Sequence, residues 1–172
     1  MSRPIFLLGL MGAGKSSLGR ALAARRGVAF IDHDLRIERL FGRSIAALFE
    51  RGEPAFRELE HAALRSLVVE PGFAGSGAVV ATGGGIVTDP RNLTTIAAIG
   101  RSVYLRVGVA TLVERLDSEV ERARRPMLAR ADLSTRLTEL LAARQSAYAS
   151  ASVTIDAQGE TEAILDAISS AL

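Results

Sequence analysis

The chain has 172 residues, a formal charge of +2, no cysteine, 48% hydrophobic residues and 23% charged residues. That length suits a single domain burying roughly 70% of its unfolded surface, and the absence of thiols excludes disulfides and cysteine metal sites and fits a reducing compartment. So small a net charge makes no case for a nucleic-acid partner, and no apolar run approaches the ~18 residues that cross a bilayer, so the expectation is a cytoplasmic globule.

Ile5-Phe6-Leu7-Leu8 is a short apolar run that reads as a buried strand. Gly9-Leu-Met-Gly-Ala-Gly14-Lys15-Ser16 follows and matches G-x-x-x-x-G-K-[ST]. Ser16 to Arg26 then has helical spacing, with Leu18 and Leu22 on one face. Strand, glycine loop and helix come in the order that lets backbone N–H groups and a positive helix end converge on a triphosphate. On that pattern Lys15 reaches the β- and γ-phosphates and the Ser16 hydroxyl binds Mg²⁺. Lys15 is also the only lysine among 21 basic residues. Arginine carries every other cation, and its planar fork cannot replace a slim ammonium wrapped in a glycine loop. A secretory signal is the rival for the first residues, since Arg3 precedes an apolar stretch. That stretch is short, glycine-interrupted and runs into an amphipathic helix, so it is set aside.

A second strand is predicted at Val28–Ile31, leading into Asp32-His33-Asp34. Parallel sheets bind ligands at strand carboxyl ends. If the chain stays extended, Asp32 and Asp34 point the same way, one toward a metal shell and the other toward the proton of an attacking hydroxyl. The alternative is that Asp34 merely caps the next helix. His33 between them is expected to face away, without a metal role, as no second histidine is near.

Residues 33–78 form an excursion suited to holding a second substrate, with helices predicted at Ser44–Arg51 and Pro54–Val69. On the latter, Arg57 and Glu60 are either an exposed ion pair or an arginine presented bidentate to a carboxylate. Pro71–Gly77 reads as a flexible turn, and its Gly75-x-Gly77 precedes a strand, so it is rejected as a nucleotide loop. The third strand, Val79–Ala81, ends in Thr82-Gly83-Gly84-Gly85, where three glycines favour close approach of a ligand to the backbone. Asp89-Pro90 signals a helix start, and Ser102–Val107 and Val153–Ile155 complete five strands. Arg115, Arg122, Arg124, Arg125 and Arg130 are the one basic concentration, with Arg125-Pro126-Met127 suited to a mobile lid over a transferring phosphoryl group. Ser134 and Thr161 read as caps of the last helices, and Arg144 and Tyr148 lie four apart on a helix predicted at Ser134–Ala149. That pair is either an arginine packed on a ring or a second anion ligand. Alternating strands and helices imply an α/β fold with a parallel sheet covered on both faces.

The combination Gly12-Ala13-Gly14-Lys15-Ser16-Ser17, Asp32-x-Asp34, Phe56-Arg57-x-x-Glu60, Ala81-Thr82-Gly83-Gly84-Gly85, Arg125-Pro126 and Arg144, in that order, resembles the shikimate kinase family over nearly the whole chain. The resemblance implies a single-domain, three-layer P-loop kinase of the nucleoside-monophosphate-kinase type. Its parts would be a five-stranded parallel sheet, the substrate-binding insertion and a lid at about 117–132. It further implies transfer of the ATP γ-phosphoryl group to the 3-hydroxyl of shikimate with Mg²⁺, on the route to aromatic amino acids, by a monomer. Among the implied roles, Asp34 polarises the acceptor hydroxyl, with Lys15 and Arg125 completing the catalytic set. Asp32 supports Mg²⁺ through water beside Ser16. Arg57, Arg144 and the Gly83–Gly85 backbone hold the substrate, chiefly its carboxylate, while Arg125 and Arg115 meet the phosphates and the adenine. Two features depart from the family pattern. The stretch from Arg115 to Arg125 is a few residues longer than the compact lid, with Met127 where leucine is usual, and Asp156-Ala-Gln-Gly159 matches the adenine-side loop only loosely.

A guanine-specific switch is excluded, because its N-K-x-D motif needs a second lysine. Another small-molecule kinase on this scaffold, for gluconate or a nucleoside monophosphate, would leave the Asp32/Asp34, Arg57 and Arg144 set unexplained. A non-catalytic sensing domain would be expected to have lost Asp34 or Lys15; both are present.

Overall fold

The computed structural model describes residues 2–116 and 130–172. In chain order it contains β1 (Ile5–Leu8), α1 (Lys15–Arg26), β2 (Phe30–Asp32), α2 (His33–Phe41), α3 (Ile45–Phe49), α4 (Glu53–Val68), β3 (Val79–Ala81) and α5 (Pro90–Ile99). There follow β4 (Arg101–Arg106), α6 (Val109–Leu116), α7 (Arg130–Ala149), β5 (Val153–Asp156) and α8 (Thr161–Ala171), with short 3₁₀ turns at Phe73–Gly75 and Ile86–Thr88. The five strands pair in the order β2-β3-β1-β4-β5, and every pairing is parallel. Among the described residues no helix is long and apolar enough to cross a membrane.

β1 is the central strand, and each of its four residues is buried. Such a strand reads as a continuous apolar run because helices cover both of its faces. Each side chain so buried contributes about 1.5–3 kcal/mol of transfer free energy. A second, smaller core of Ile37, Leu48, Phe56 and Ala63 lies within the insertion and holds α2, α3 and α4 together.

The sequence places all five strands with differences at their ends, and leaves α2 and α6 without bounds. β2 starts at Phe30, not Val28, because the Val28 N–H turns back to the Ala23 carbonyl and closes the end of α1. α7 starts at Arg130, not Ser134; Ser134 lies inside it, its carbonyl accepting from the Thr138 hydroxyl at 2.8 Å. Serine favours caps, yet tolerates a helix interior when the preceding residues already form a turn. Thr161 is the first helical residue of α8, after an extended Glu160. The Pro71–Gly77 segment is not a loose turn: Phe73 is buried and packs edge-to-face on Phe6, ring centroids 6.2 Å apart.

The register aligns Leu7 of β1 and Asp32 of β2 with Ala81 of β3. The carboxyl ends of three neighbouring strands are therefore flush, and the loops that follow them meet at one rim. Thr82 ties two of these ends directly, its hydroxyl donating to the Leu7 carbonyl at 2.8 Å.

Gly100, which closes α5, sits where a Cβ would lie 2.5 Å from Phe6 and 2.6 Å from the Pro4 carbonyl. Overpacking of this kind costs about 1–3 kcal/mol. Gly100→Ala is expected to lower the urea midpoint accordingly, and an unchanged midpoint would show that the contact is relieved by a small backbone shift.

Candidate active site

The loop between β1 and α1 wraps back on itself through Gly12 (φ 82°) and Gly14 (φ 86°), left-handed conformations that residues with a Cβ rarely adopt. Ala13 between them is buried, and Ser16 and Ser17 open α1 behind the loop. Lys15 is folded over it, donating from Nζ to the Gly9 and Leu10 carbonyls at 2.8 Å each. Burial lowers the Lys15 ammonium to about 8, partly offset by the charges of Asp34 and Asp32. Arg115 of α6 braces the loop from the other side, donating to the Gly12 carbonyl at 3.3 Å and the Ala157 carbonyl at 2.9 Å. It thereby joins the phosphate loop to the Asp156–Gly159 turn, where Gln158 accepts from the Gly108 N–H and the Thr111 hydroxyl.

The two aspartates divide differently from the expectation of a shared strand face. Asp32 is the one that caps α2, accepting from the Leu35 N–H at 3.3 Å, while its other oxygen accepts from the Ser16 hydroxyl at 2.9 Å. Asp34 lies in the first turn of α2 and accepts no hydrogen bond among the described residues. Burial pushes its carboxyl above the ordinary range, Lys15 pulls it down, and Asp32 and Glu38 push it up again. His33 does face away. It is fully buried, neither ring nitrogen has a partner, and burial depresses it to about 4.

Asp34, Arg57, Gly83, Gly84, Gly85 and Arg144 all line one cavity of about 270 Å³. Every predicted substrate-binding residue is thus brought together, from α2, α4, the turn after β3 and α7. A larger hollow of about 500 Å³ between α1 and α2 contains none of them.

Arg57 and Glu60 are not an exposed pair: their side chains are 15% and 1% exposed. Arg57 donates to Glu60 at 2.8 Å and to Glu53 at 2.6 Å, and packs over the stacked rings of Phe49 and Phe56. Burial works against the Arg57 charge, but Glu60 and Glu53 outweigh it and raise its affinity for the proton. Glu60 is itself pushed up, since burial outweighs the pull of Arg57.

The three glycines make room for the protein's own groups. A Cβ on Gly83 would lie 2.7 Å from Asp34 Oδ1 and 3.0 Å from Glu60 Oε1, and one on Gly85 would fall on the Arg57 guanidinium. At Gly84 it would lie 3.3 Å from the Met11 amide nitrogen and 3.4 Å from the Gly9 carbonyl. The close approach expected of a ligand is made first by side chains and by the phosphate loop.

Arg136, which also lines the cavity, was not anticipated. Its signal was present, for Arg136, Leu140, Arg144 and Tyr148 recur at four-residue spacing along one face of a helix. Arg122, Arg124 and Arg125, with the predicted lid up to residue 129, lie outside the described residues.

A parallel sheet with a glycine-cradled lysine at the end of its central strand, beside an acidic and arginine-lined cavity, defines a P-loop kinase for a small anionic acceptor. The family model for shikimate kinase matches residues 11–172. A shikimate kinase of Paramagnetospirillum magneticum is 41% identical over 161 residues, covering 93% of this chain and 78% of the relative. Among solved structures, a shikimate kinase of Bacteroides thetaiotaomicron superposes with a TM-score of 0.87 at 31% identity, covering 98% of this chain and 97% of that one. An Acinetobacter baumannii shikimate kinase in complex with shikimate gives 0.84 at 34% identity, covering 98% and 91%. The chain belongs to the shikimate kinase family, ATP-dependent phosphotransferases acting on shikimate.

Because a Cβ at Gly85 would displace the Arg57 guanidinium, Gly85→Ala is expected to raise the KM for shikimate at least ~10-fold, the scale of one charge-assisted hydrogen bond. The KM for ATP should stay unchanged. Equal loss for both substrates in steady-state assays would instead indicate general disruption of the rim.

Proposed function

We propose that Asp34 is the group that receives or orients the proton of the shikimate 3-hydroxyl while the ATP γ-phosphoryl group is transferred to it in line. The observation that supports this reading most is that an Asp34 carboxylate without an internal hydrogen bond shares one cavity with Arg57 and Arg144, at the rim of the phosphate loop. An acceptor carrying both a hydroxyl and a carboxylate meets its complement in that set. Two arginines suit a carboxylate because each presents a planar fork of donors. The Gly83–Gly85 backbone completes the same wall.

In this reading the phosphate loop binds the triphosphate through its backbone N–H groups, with Lys15 swinging from the Gly9 and Leu10 carbonyls onto the phosphates. Arg115 lies where the nucleotide base end would pass, between the loop and the Asp156–Gly159 turn. Arg125 is assigned to the phosphates from the family pattern alone. Little covalent chemistry is asked of the protein; positioning and charge stabilisation carry the rate.

Ser16 and Asp32 fit Mg²⁺: they present two hard oxygen groups already 2.9 Å apart. No cluster of three or more His, Cys, Asp or Glu side chains is found among the described residues. An ion held by one or two protein oxygens plus substrate phosphates is the usual arrangement for Mg²⁺. When bound, the ion neutralises charge on the phosphates. Phosphate loop, acceptor carboxylate and both substrate arginines come from one chain, so the reading is of a monomer working on cytoplasmic ATP.

A coupled ADP-release assay offering shikimate, quinate, gluconate and AMP side by side should show turnover with shikimate, and activity confined to gluconate or AMP would overturn the reading. Asp34→Asn should keep ATP affinity and lose ~10²-fold or more in kcat; near-normal turnover would remove Asp34 from the chemistry. The pH profile has a definite sign. Lys15 is useful when protonated, so kcat/KM for ATP should fall as pH rises through about 8, while the acid limb lies above the ordinary carboxylate value because Asp34 must be deprotonated. An alkaline limb found only near the ordinary lysine value of ~10.4 would show that burial does not tune Lys15.

A further inference from the structure

Tyr148 is fully buried at the last turn of α7, and the roles assigned above do not use it. Its ring stacks on Tyr104 of β4, centroids 4.8 Å apart and planes 4° from parallel. Its hydroxyl donates to the Gly84 carbonyl at 2.6 Å. The same carbonyl accepts a longer bond of 3.2 Å from Arg144, one turn earlier on the helix. Gly84 has little freedom on its other side, where the phosphate-loop backbone at Gly9 and Met11 is packed against it.

The geometry points to Tyr148 as a positioning residue for substrate-carboxylate binding, acting through Gly84 and Arg144 without touching the substrate. The inference rests on the cavity being the shikimate site. Three physical consequences carry it. The short tyrosine bond satisfies the Gly84 carbonyl, so Arg144 need not give that oxygen its best-placed donor and keeps its remaining N–H groups for an anion. The peptide bonds of the described residues are trans, so fixing the Gly84 carbonyl also fixes the opposed N–H of Gly85, which has no backbone hydrogen-bond partner among the described residues. Finally, the Tyr104 stack anchors the end of α7 to the sheet and so sets the height at which Arg144 enters the cavity. Burial raises the Tyr148 hydroxyl to about 12, so it remains a donor across the working range.

Tyr148→Phe preserves the ring and its stack and removes only the hydroxyl. The Gly84 carbonyl would then draw Arg144 inward as its remaining donor among the described residues. The expected result is a KM for shikimate raised about 5- to 10-fold, the scale of one neutral hydrogen bond, with kcat within ~2-fold and the KM for ATP unchanged. The neutral carboxamide of shikimate, assayed as a competitive inhibitor, should bind wild type and variant equally, because the lost interaction concerns the carboxylate. A merely structural tyrosine would not separate these ligands. An unchanged KM for shikimate would overturn the proposal, as would a parallel weakening of ATP or of the carboxamide. Arg57→Ala in the same assays separates the two levels of inference. If it weakens shikimate while Tyr148→Phe does not, only the tyrosine role falls; if neither does, the assignment of the cavity itself falls.

Discussion

The backbone of Gly83–Gly85 is the point on which the site depends. Groups from four parts of the chain crowd against it: Asp34 from α2, Arg57 and Glu60 from α4, Gly9 and Met11 from the phosphate loop, and Arg144 and Tyr148 from α7. The approaches of Asp34, Glu60 and Arg57 leave no room for a Cβ at Gly83 or Gly85 without displacement. The turn therefore works as a hub that sets Asp34, the two cavity arginines and the phosphate loop in fixed relation to one another. Pre-organised placement matters most in phosphoryl transfer, where orientation and charge stabilisation supply the rate.

Around that hub the charges are arranged in opposition. Burial lowers the Lys15 ammonium, and the charges of Asp34 and Asp32 act against that; burial raises the Asp34 carboxyl, and the charge of Lys15 acts against that. Each charge favours the ionised form of the other. Glu60 and Glu53 outweigh burial in favouring the Arg57 charge, and its guanidinium is packed over two aromatic rings. A buried ion pair of this kind is a weak source of stability. Its value here is a rigid cation at a defined height in the cavity. The separate small core of the insertion supports it, since Phe56, the residue before Arg57, belongs to that core.

Much of this was legible in the residues. The phosphate loop declares itself by spacing and by its singular lysine, and the strands by short apolar runs, because both signals are local. Asp34, Arg57, Gly83, Gly84, Gly85 and Arg144 stand out by paired carboxylates, helix-borne arginines and a glycine run, the family resemblance adds their roles, and the structure brings all six to one cavity. What local signals misjudged were roles decided by distant partners. Capping preference does not say which of two aspartates turns into the helix. A spacing of three cannot show whether Arg57 and Glu60 face water or the core. Glycine content indicates close approach but not what approaches.

The sequence by itself determined the class of fold, the nucleotide loop and the inventory of chemistry, since periodicity and short motifs are written over a few consecutive residues. Only the tertiary structure decided that Asp32 accepts from Ser16 while Asp34 accepts no hydrogen bond among the described residues, that Arg57 is held by a buried carboxylate, and that Tyr148 donates to the carbonyl of Gly84. Those contacts join residues 16, 3 and 64 positions apart. The parallel sheet brings the longer-range partners to one rim by aligning the carboxyl ends of β1, β2 and β3, and no local pattern records that alignment.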